Sequence, residues 1–367
     1  MHALRGFGGG CILFARTSVG ALSLASQIPI PPERIGMELD EFLCLSFPLL
    51  NKGFLRRQVR DGRVLVDGNS AVPSQRLRMD QVLIIEFDET EDLPEAPVAP
   101  TARIPVLYED EHVLAIDKPS ALAVEPERWA RGNASVAGAL LELALARSGV
   151  DPEEPPKPSE PGSALEFRPR IVHRLDKDTS GVLLVAKTVE AERSLRAAFD
   201  AGEVEKIYLA LVEGEHPLED GESEIIDLPI GPDERKSGRM RVDPLEGKPS
   251  RTRVSVERRF RGYTLLACSP LTGRTHQIRV HLMEAGFPLA VDPVYGRRNM
   301  LYLSEIKRGY RKKPGHVETP LIDRLTLHAR SIEFPSPEAS GTRIRVESPV
   351  PRDLERLLKQ LGKVRAR

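Results

Sequence analysis

Apolar residues first fall into helical spacing in the segment ELDEFLCLSF. There Leu39, Phe42, Leu43 and Phe47 stand at i, i+3, i+4 and i+8, the stripe of an amphipathic helix. The pattern predicts a second helix over about Asn51–Asp61, a short strand at Val64–Val66, an Asp67-Gly68 turn and a last strand around Val82–Phe87. Between Ile104 and about Val350, short Val/Ile/Leu runs alternate with a few helical stretches. They lack the regular beat of βαβ units, which predicts an α+β domain on a mixed, mainly antiparallel sheet. The run VLLVAK after Gly181 is apolar enough to be a buried strand. In EKIYLALVEG, alternation places Ile207, Leu209 and Leu211 on one face, and Lys206, Tyr208 and Ala210 on the other.

Two segments interrupt this patterning. DETEDLPEAPVAPTAR, residues 88–103, is acidic and then Pro/Ala-rich, as an interdomain linker would be. DPEEPPKPSEPGS, residues 151–163, cannot continue a helix and is expected to be a surface loop or insertion. Residues 1–32 carry Arg5, Arg16 and a glycine run but no acidic residue before Glu33. That composition suits a disordered tail, a transit peptide, or a start codon assigned too far upstream, with Met37 as the internal alternative. A length of 367 residues accommodates two domains.

Charge and cysteine content narrow the reading. The formal net charge is −1, so a nucleic-acid partner would have to be met by local basic patches. Cys11, Cys44 and Cys268 offer neither a disulfide framework nor a CxxC pair, which fits a reducing cytoplasm. No apolar run approaches the ~18 residues of a membrane span.

One local basic patch lies on the second predicted helix. Lys52, Arg56, Arg60 and Arg63 follow near-helical spacing, with Arg57 beside them. On a lone helix such a stripe is ordinarily a solvated face. Here the order helix, basic helix, strand, Asp-Gly, strand over residues 33–87, with LRRQVRDGRVLVDGNSA at its centre, is similar to the S4-like RNA-binding module. That likeness implies contacts from these five side chains to an RNA backbone.

The strongest candidate for chemistry is IVHRLDKDTSGVLLVAK, which sets Asp176 on a loop beside the predicted buried strand. Taken alone, this could be a polar turn in which Asp176 or Asp178 caps the backbone. Asp176-Lys177-Asp178-Thr179 also fits the DxDxT pattern of dehalogenase-type phosphohydrolases. In those enzymes the first Asp directly follows a buried strand. Here His173 and Arg174 precede it, and no later paired-Asp segment completes a magnesium site. In SPLTGRTHQIRVHLMEAG, Thr272 or Thr275 could cap the helix that follows. Arg274 at that helix start gains nothing from the helix dipole and is expected to meet an acidic partner. His276 and His281 lie about 140° apart around a helix, so they cannot form an i, i+4 zinc pair, and no metal is expected.

DKPSALAVEP (117–126), HRLDKDTSG, EKIYLALVEG, TGRTHQIRVHL, DPVYG (292–296) and RLTLHA (324–329) follow one another in the order of the RluA-like family of pseudouridine synthases. The chain resembles that family from Glu33 to about Val350. Ala121 departs from it where the family usually has Gly, as do insertions at 151–163 and 298–319.

The resemblance implies a pseudouridine synthase domain with a central cleft over 104–350, followed by a basic helix or tail at 351–367. It implies Asp176 as nucleophile, paired with Arg274, and Tyr208 stacked on the target base with a role in proton transfer. Arg174 would fill the gap left by the extruded nucleotide, and Ile278 would form an apolar floor. No cofactor is implied. Cleaving the uridine N1–C1′ bond needs a nucleophile at C6 or C1′, and a closed pocket that retains the freed uracil while it turns. The implied partner is RNA, ribosomal first and transfer RNA second. The protein is expected to be a cytoplasmic monomer. A catalytically silent RNA-binding protein on the same scaffold is the alternative, and the presence of Asp176, Tyr208 and Arg274 speaks against it.

Overall fold

The computed structural model describes residues 24–87, 93–127, 132–151, 154–157, 161, 165–311, 315 and 317–366. Its apolar side chains gather into separate cores in two units. One comprises residues up to Pro97 with Leu140–Arg168, the other Val98–Ala139 with Pro169 onward.

In the first unit, strand β1 (Leu24–Pro29) precedes helices α1 (Leu39–Ser46) and α2 (Lys52–Arg60). Strands β2 (Val64–Val66), β3 (Asn69–Ser70) and β4 (Val82–Phe87) complete an antiparallel sheet in the order β1-β4-β2-β3. The predicted apolar stripe is buried: Leu39, Phe42, Leu43 and Phe47 pack with Phe54, Leu55 and Val59 on Val64, Val66 and Ile85. Asn51 caps α2, its side-chain oxygen accepting from the Phe54 N–H at 2.8 Å. Asp67 and Gly68 both have positive φ, +51° and +76°, the requirement of a two-residue hairpin turn.

Two assignments shift. The tail reading of 1–32 holds no longer for residues 24–29, which pair with β4 from Leu24↔Phe87 to Pro29↔Val82. Residues 1–23 lie outside those described. The strand was hidden because Ser26 takes a half-buried position and Pro29 an exposed one, which blunts the alternation of an edge strand. Residues 140–168, first placed in the catalytic region, pack in this unit instead. Ala144, Leu145 and Leu165 join Leu45 and Leu49, and the Leu165 N–H donates to the Leu45 carbonyl at 3.1 Å. Most of the Pro-rich insertion between them lies outside the described residues, as do parts of 298–319.

The second unit opens with β5 (Val106–Glu109) and β6 (Val113–Lys118), then helix α3 (Val136–Arg147), which begins in this unit. Next come β7 (Arg170–Ile171), β8 (Ser180–Ala186), α4 (Val189–Asp200) and β9 (Glu205–Glu213). Strands β10 (Ser223–Asp227), β11 (Ile230–Pro232), β12 (Met240–Val242), β13 (Arg251–Phe260) and β14 (Tyr263–Pro270) lead to α5 (Gln277–Glu284). The chain closes with α6 (Leu303–Ile306), β15 (Leu327–Pro335), β16 (Arg343–Glu347) and α7 (Arg352–Val364). The large sheet runs β10-β13-β14-β9-β15-β8-β6-β5, with β16 on β15 and β7 on β8. Among the described residues its only parallel strand pairing is β15 with β8, which makes it mixed and mainly antiparallel as expected.

Within the expected basic helix or tail, α7 (Arg352–Val364) is built into this core. Leu354, Leu357, Leu358 and Leu361 pack with Leu209, Leu211 and Phe260. The later part of the 88–103 segment is also fixed: Val98 bridges Ala134, and its carbonyl accepts from the Ser135 N–H at 2.8 Å. Residues 88–92 lie outside the described set. Ala121 has φ +62°, a left-handed conformation that costs a non-glycine residue ~1–2 kcal/mol, which accounts for the glycine usual there. Among the described residues no helix is long and apolar enough to cross a membrane.

β8 is buried along all seven residues. Its contact with β15 depends on Gly181, whose φ is +118° and where a Cβ would stand 2.1 Å from the Ala329 carbonyl oxygen. Gly181→Ala combines overpacking with backbone strain and should lower stability by about 3 kcal/mol. Urea unfolding monitored by circular dichroism checks this, and an unchanged midpoint would contradict it.

Candidate active site

Asp176 occupies the loop between β7 and β8, in a turn closed by the Thr179 N–H donating to the Asp176 carbonyl at 3.1 Å. The loop is anchored from β6. Lys118 is fully buried, and its Nζ donates to the carbonyls of Pro119, Leu122 and Lys177 at 2.9, 2.8 and 2.9 Å. Burial pulls the pKa of this amine down to about 7, opposed by the charges of Asp178 and Asp176. Ser120 Oγ donates to the Asp178 carbonyl at 2.7 Å. His173 accepts from the Leu184 N–H at 2.8 Å, and burial, then Lys206, holds its pKa to about 3, so it is a neutral structural imidazole. The long buried strand thus follows Asp176, whereas only the two-residue β7 comes before it, the reverse of the DxDxT arrangement.

α5 supplies the facing wall, and its start is not capped by Thr272 or Thr275. The N-cap is His276, at φ +56°, without a side-chain cap. The work falls to Gln277. Its Oε1 accepts from Thr272 Oγ1 at 2.7 Å and from the Arg274 N–H at 3.0 Å, while Nε2 donates to Thr252 Oγ1 at 3.0 Å and the Arg251 carbonyl at 2.8 Å.

The ionic partner of Asp176 is Arg279, not Arg274. Arg279 is buried, with Nη1 at 3.6 Å from Asp176 Oδ2. Its Nε and Nη2 donate to the two oxygens of Asp292 at 2.9 and 2.7 Å. Burial works against the guanidinium charge, but the hydrogen bonds and charge of Asp292, followed by Asp176, raise its pKa overall. Asp292 is itself 1% exposed and also accepts from the Val294 and Tyr295 N–H groups at 2.8 and 3.0 Å. Arg274 precedes the helix in an exposed turn, where its Nε donates to the Pro249 carbonyl at 3.3 Å. A signal for Arg279 was present: it stands in QIRVHL among positions that the helix buries, and a buried cation requires a carboxylate. Lys118, Asp292, Tyr295 and His276 were likewise overlooked as parts of the site, although the quoted motifs contain them.

Asp176, Arg279 and Tyr208 line one cleft of about 820 Å³, together with Arg174, Arg274 and Ile278. Tyr208 projects from β9 on the face opposite Leu209. Burial, and then the charge of Asp176, raises its pKa, so the phenol stays protonated. Ile278 is buried in the cluster against which Tyr208 packs, and Arg174 is exposed. The arrangement presents a partly exposed carboxylate (20%), charge-balanced from beneath, beside an aromatic face and an apolar surface. Such a site suits nucleophilic attack on a planar base. His276 and His281 are occupied separately, Nδ1 of His276 with the Tyr295 hydroxyl at 2.8 Å and His281 with Thr252 and the Leu228 carbonyl. Among the described residues no group of three or more His, Cys, Asp or Glu could hold a metal.

The basic stripe of the first unit divides. Lys52 pairs with Glu41 and, at 3.4 Å, with Asp40, and Arg56 pairs with Asp40 at 2.6 Å. These two cations neutralise buried carboxylates of α1. Arg57 and Arg60 remain exposed, Arg57 lying over the Phe54 ring, and Arg63 is half-buried.

Comparison with known proteins gives a match of residues 112–284 to the family model described as RNA pseudouridylate synthase. Ribosomal large subunit pseudouridine synthase D of Xanthomonas campestris pv. campestris is 35% identical over 350 residues, 93% of this chain and 94% of that protein. Ribosomal large subunit pseudouridine synthase C of Escherichia coli K12 is 34% identical over 347 residues, 92% and 97% of the two chains. Among solved structures, human RNA Pseudouridylate Synthase Domain Containing 4 aligns over 70% of this chain and 92% of its own, with TM-score 0.48 and 22% identity.

Removing Asp292 would strand the Arg279 charge in the interior. Asp292→Ala should therefore cost about 3–5 kcal/mol of stability. Urea unfolding measures this, and a loss below about 1 kcal/mol would show that the pair is not a buried charge pair of this kind.

Proposed function

Because the chain belongs to the RNA pseudouridylate synthase family and is an RNA pseudouridine synthase, we propose that Asp176 is its nucleophile and that its target uridines lie in ribosomal RNA. The observation that carries the first part is the 3.6 Å approach of Arg279 to Asp176 within the cleft, with the rest of the guanidinium held by Asp292. The second part is supported by the relatives, both ribosomal large subunit pseudouridine synthases, which favour ribosomal over transfer RNA.

In this reading Asp176 attacks C6 of the base or C1′ of the ribose, and the N1–C1′ bond breaks. The uracil turns in the cleft and rejoins the ribose through C5, the Asp176 carboxylate is released from the carbon it attacked, C5 loses its proton and N1 takes one up. Arg279 orients and charge-balances the carboxylate throughout. Tyr208 stacks on the base and, being held protonated, takes part in proton movement through its hydroxyl rather than as a phenolate. Arg174 enters the space the flipped nucleotide leaves, offsetting part of an unstacking cost of a few kcal/mol. Ile278 forms the floor, and Arg274, exposed at the cleft, meets the RNA strand instead of Asp176. Residues 33–87 act as an S4-like RNA-binding module through Arg57, Arg60 and Arg63, while Lys52 and Arg56 brace α2. The reaction needs no cofactor or metal. Cys44 and Cys268, both free and buried, suit a cytoplasmic location.

The test is tritium release from RNA carrying 5-³H-uridine. Asp176→Asn should release none while still binding RNA. Neutralising Arg57 and Arg60 together should reduce the salt-dependence slope of binding by about 2. Release at a measurable rate by the Asn variant would overturn the nucleophile assignment, and an unchanged slope would remove the two arginines from the RNA contact.

A further inference from the structure

We propose that His276 donates a hydrogen bond through Nε2–H to a carbonyl oxygen of the target uracil, and so helps the enzyme recognise uracil in the cleft. The inference rests on reading this cleft as the uridine site. His276 lines the same cleft as Asp176, and its backbone is held at φ +56° and ψ +19°, a left-handed conformation uncommon outside glycine, although histidine adopts it more readily than most side chains. Strain of that kind concentrates where a side chain must be aimed.

The tautomer of the ring follows from its neighbour. His276 Nδ1 is 2.8 Å from the Tyr295 hydroxyl, and that oxygen already accepts from the Met240 N–H at 2.8 Å. A phenol has one proton to give, and Tyr295 keeps it, because burial raises its pKa. With the Met240 N–H already on the oxygen, we assign the phenol O–H as donor to Nδ1, which places the proton of a neutral His276 on Nε2. Burial, opposed in part by Asp176, lowers the His276 pKa and favours this neutral form.

Tyr295 cannot easily turn away. Its N–H donates to Asp292, and its ring faces the guanidinium groups of Arg239 and Arg279 at 5.2 and 5.0 Å. The carboxylate that holds Arg279 against Asp176 thus also fixes the support of His276. Among the described residues no protein acceptor engages Nε2, which leaves that N–H as the ring's one uncommitted polar group.

The kind of acceptor follows from charge. RNA phosphates are matched by cations, and the cleft has Arg253 and Arg274 for them. A neutral donor beside Asp176 and the buried Ile278 suits a neutral acceptor. Uracil offers two carbonyl oxygens, O2 and O4, where cytosine replaces O4 with an amine donor. A donor aimed at O4 would reject cytosine because two donors would face each other.

The test compares kcat/KM for pseudouridine formation in a ribosomal RNA fragment carrying uridine, 2-thiouridine or 4-thiouridine at the modified position. Sulfur is a weak acceptor, so the wild-type enzyme should lose roughly fivefold on one of the two thio substrates. His276→Ala should lose about as much on uridine and show no further loss on that thio substrate. His276→Gln, which can extend an N–H into the same space, should regain part of the discrimination. Tyr295→Phe keeps the His276 ring but frees its tautomer, so it should blunt the same discrimination, which keeps the idea testable if the Ala variant folds poorly. An unchanged uridine-to-thiouridine ratio in these variants, or no thio effect in the wild type at either position, would overturn the proposal. Asp176 is intact in every arm, so this failure is distinct from failure of the nucleophile assignment.

Discussion

A single buried guanidinium organises the catalytic unit. Arg279 has a side chain only 3% exposed, and it spends Nε and Nη2 on Asp292 and Nη1 on Asp176. Burying a cation is costly unless its hydrogen bonds are met, so this pairing constrains everything around it. It forces α5, the 292–296 turn and the Asp176 loop to converge, although they are separated by up to 120 positions in the chain. The planar fork matters as well as the charge, since two carboxylates are met from two edges of one group.

The opposite side of the Asp176 loop is held with equal economy. Lys118 gathers three carbonyls, one of them from Lys177, the residue next to the proposed nucleophile. Gly181 then lets β8 approach Ala329 of β15 closely enough for the parallel pairing. The reactive group is thereby carried on a short loop between fixed points, the placement that favours a preorganised carboxylate over a mobile one. His276 and Tyr295 extend the same arrangement, because Asp292 positions both Arg279 and the tyrosine.

Much of this could be read from residue order alone. Period-two alternation in EKIYLALVEG placed Tyr208 opposite Leu209, and VLLVAK is a buried strand. The i, i+3, i+4 stripe marked α1 correctly. What escaped was the pairing of charges across distance. Arg274 and Arg279 are both arginines of one motif, and local spacing does not say which of them the fold buries beside a carboxylate 13 residues further on. Lys52 and Arg56 looked like a free basic face for the same reason, because Asp40 and Glu41 lie on the preceding helix. β1 was missed because alternation in LASQIP is weak, whereas the helix expected as one option for 351–367 is present as α7 but packs four leucines into the core.

The identity of the arginine that serves Asp176 is the point on which the account stands. Steady-state tritium release from 5-³H-uridine RNA should be compared for Arg279→Lys and Arg274→Ala, with folding of each confirmed by circular dichroism. Lysine keeps a charge but cannot fork between two carboxylates, so Arg279→Lys should lower kcat by about a hundredfold or more, whereas Arg274→Ala should change kcat by less than about tenfold and act mainly on KM. A larger loss of kcat in Arg274→Ala than in Arg279→Lys would contradict the account.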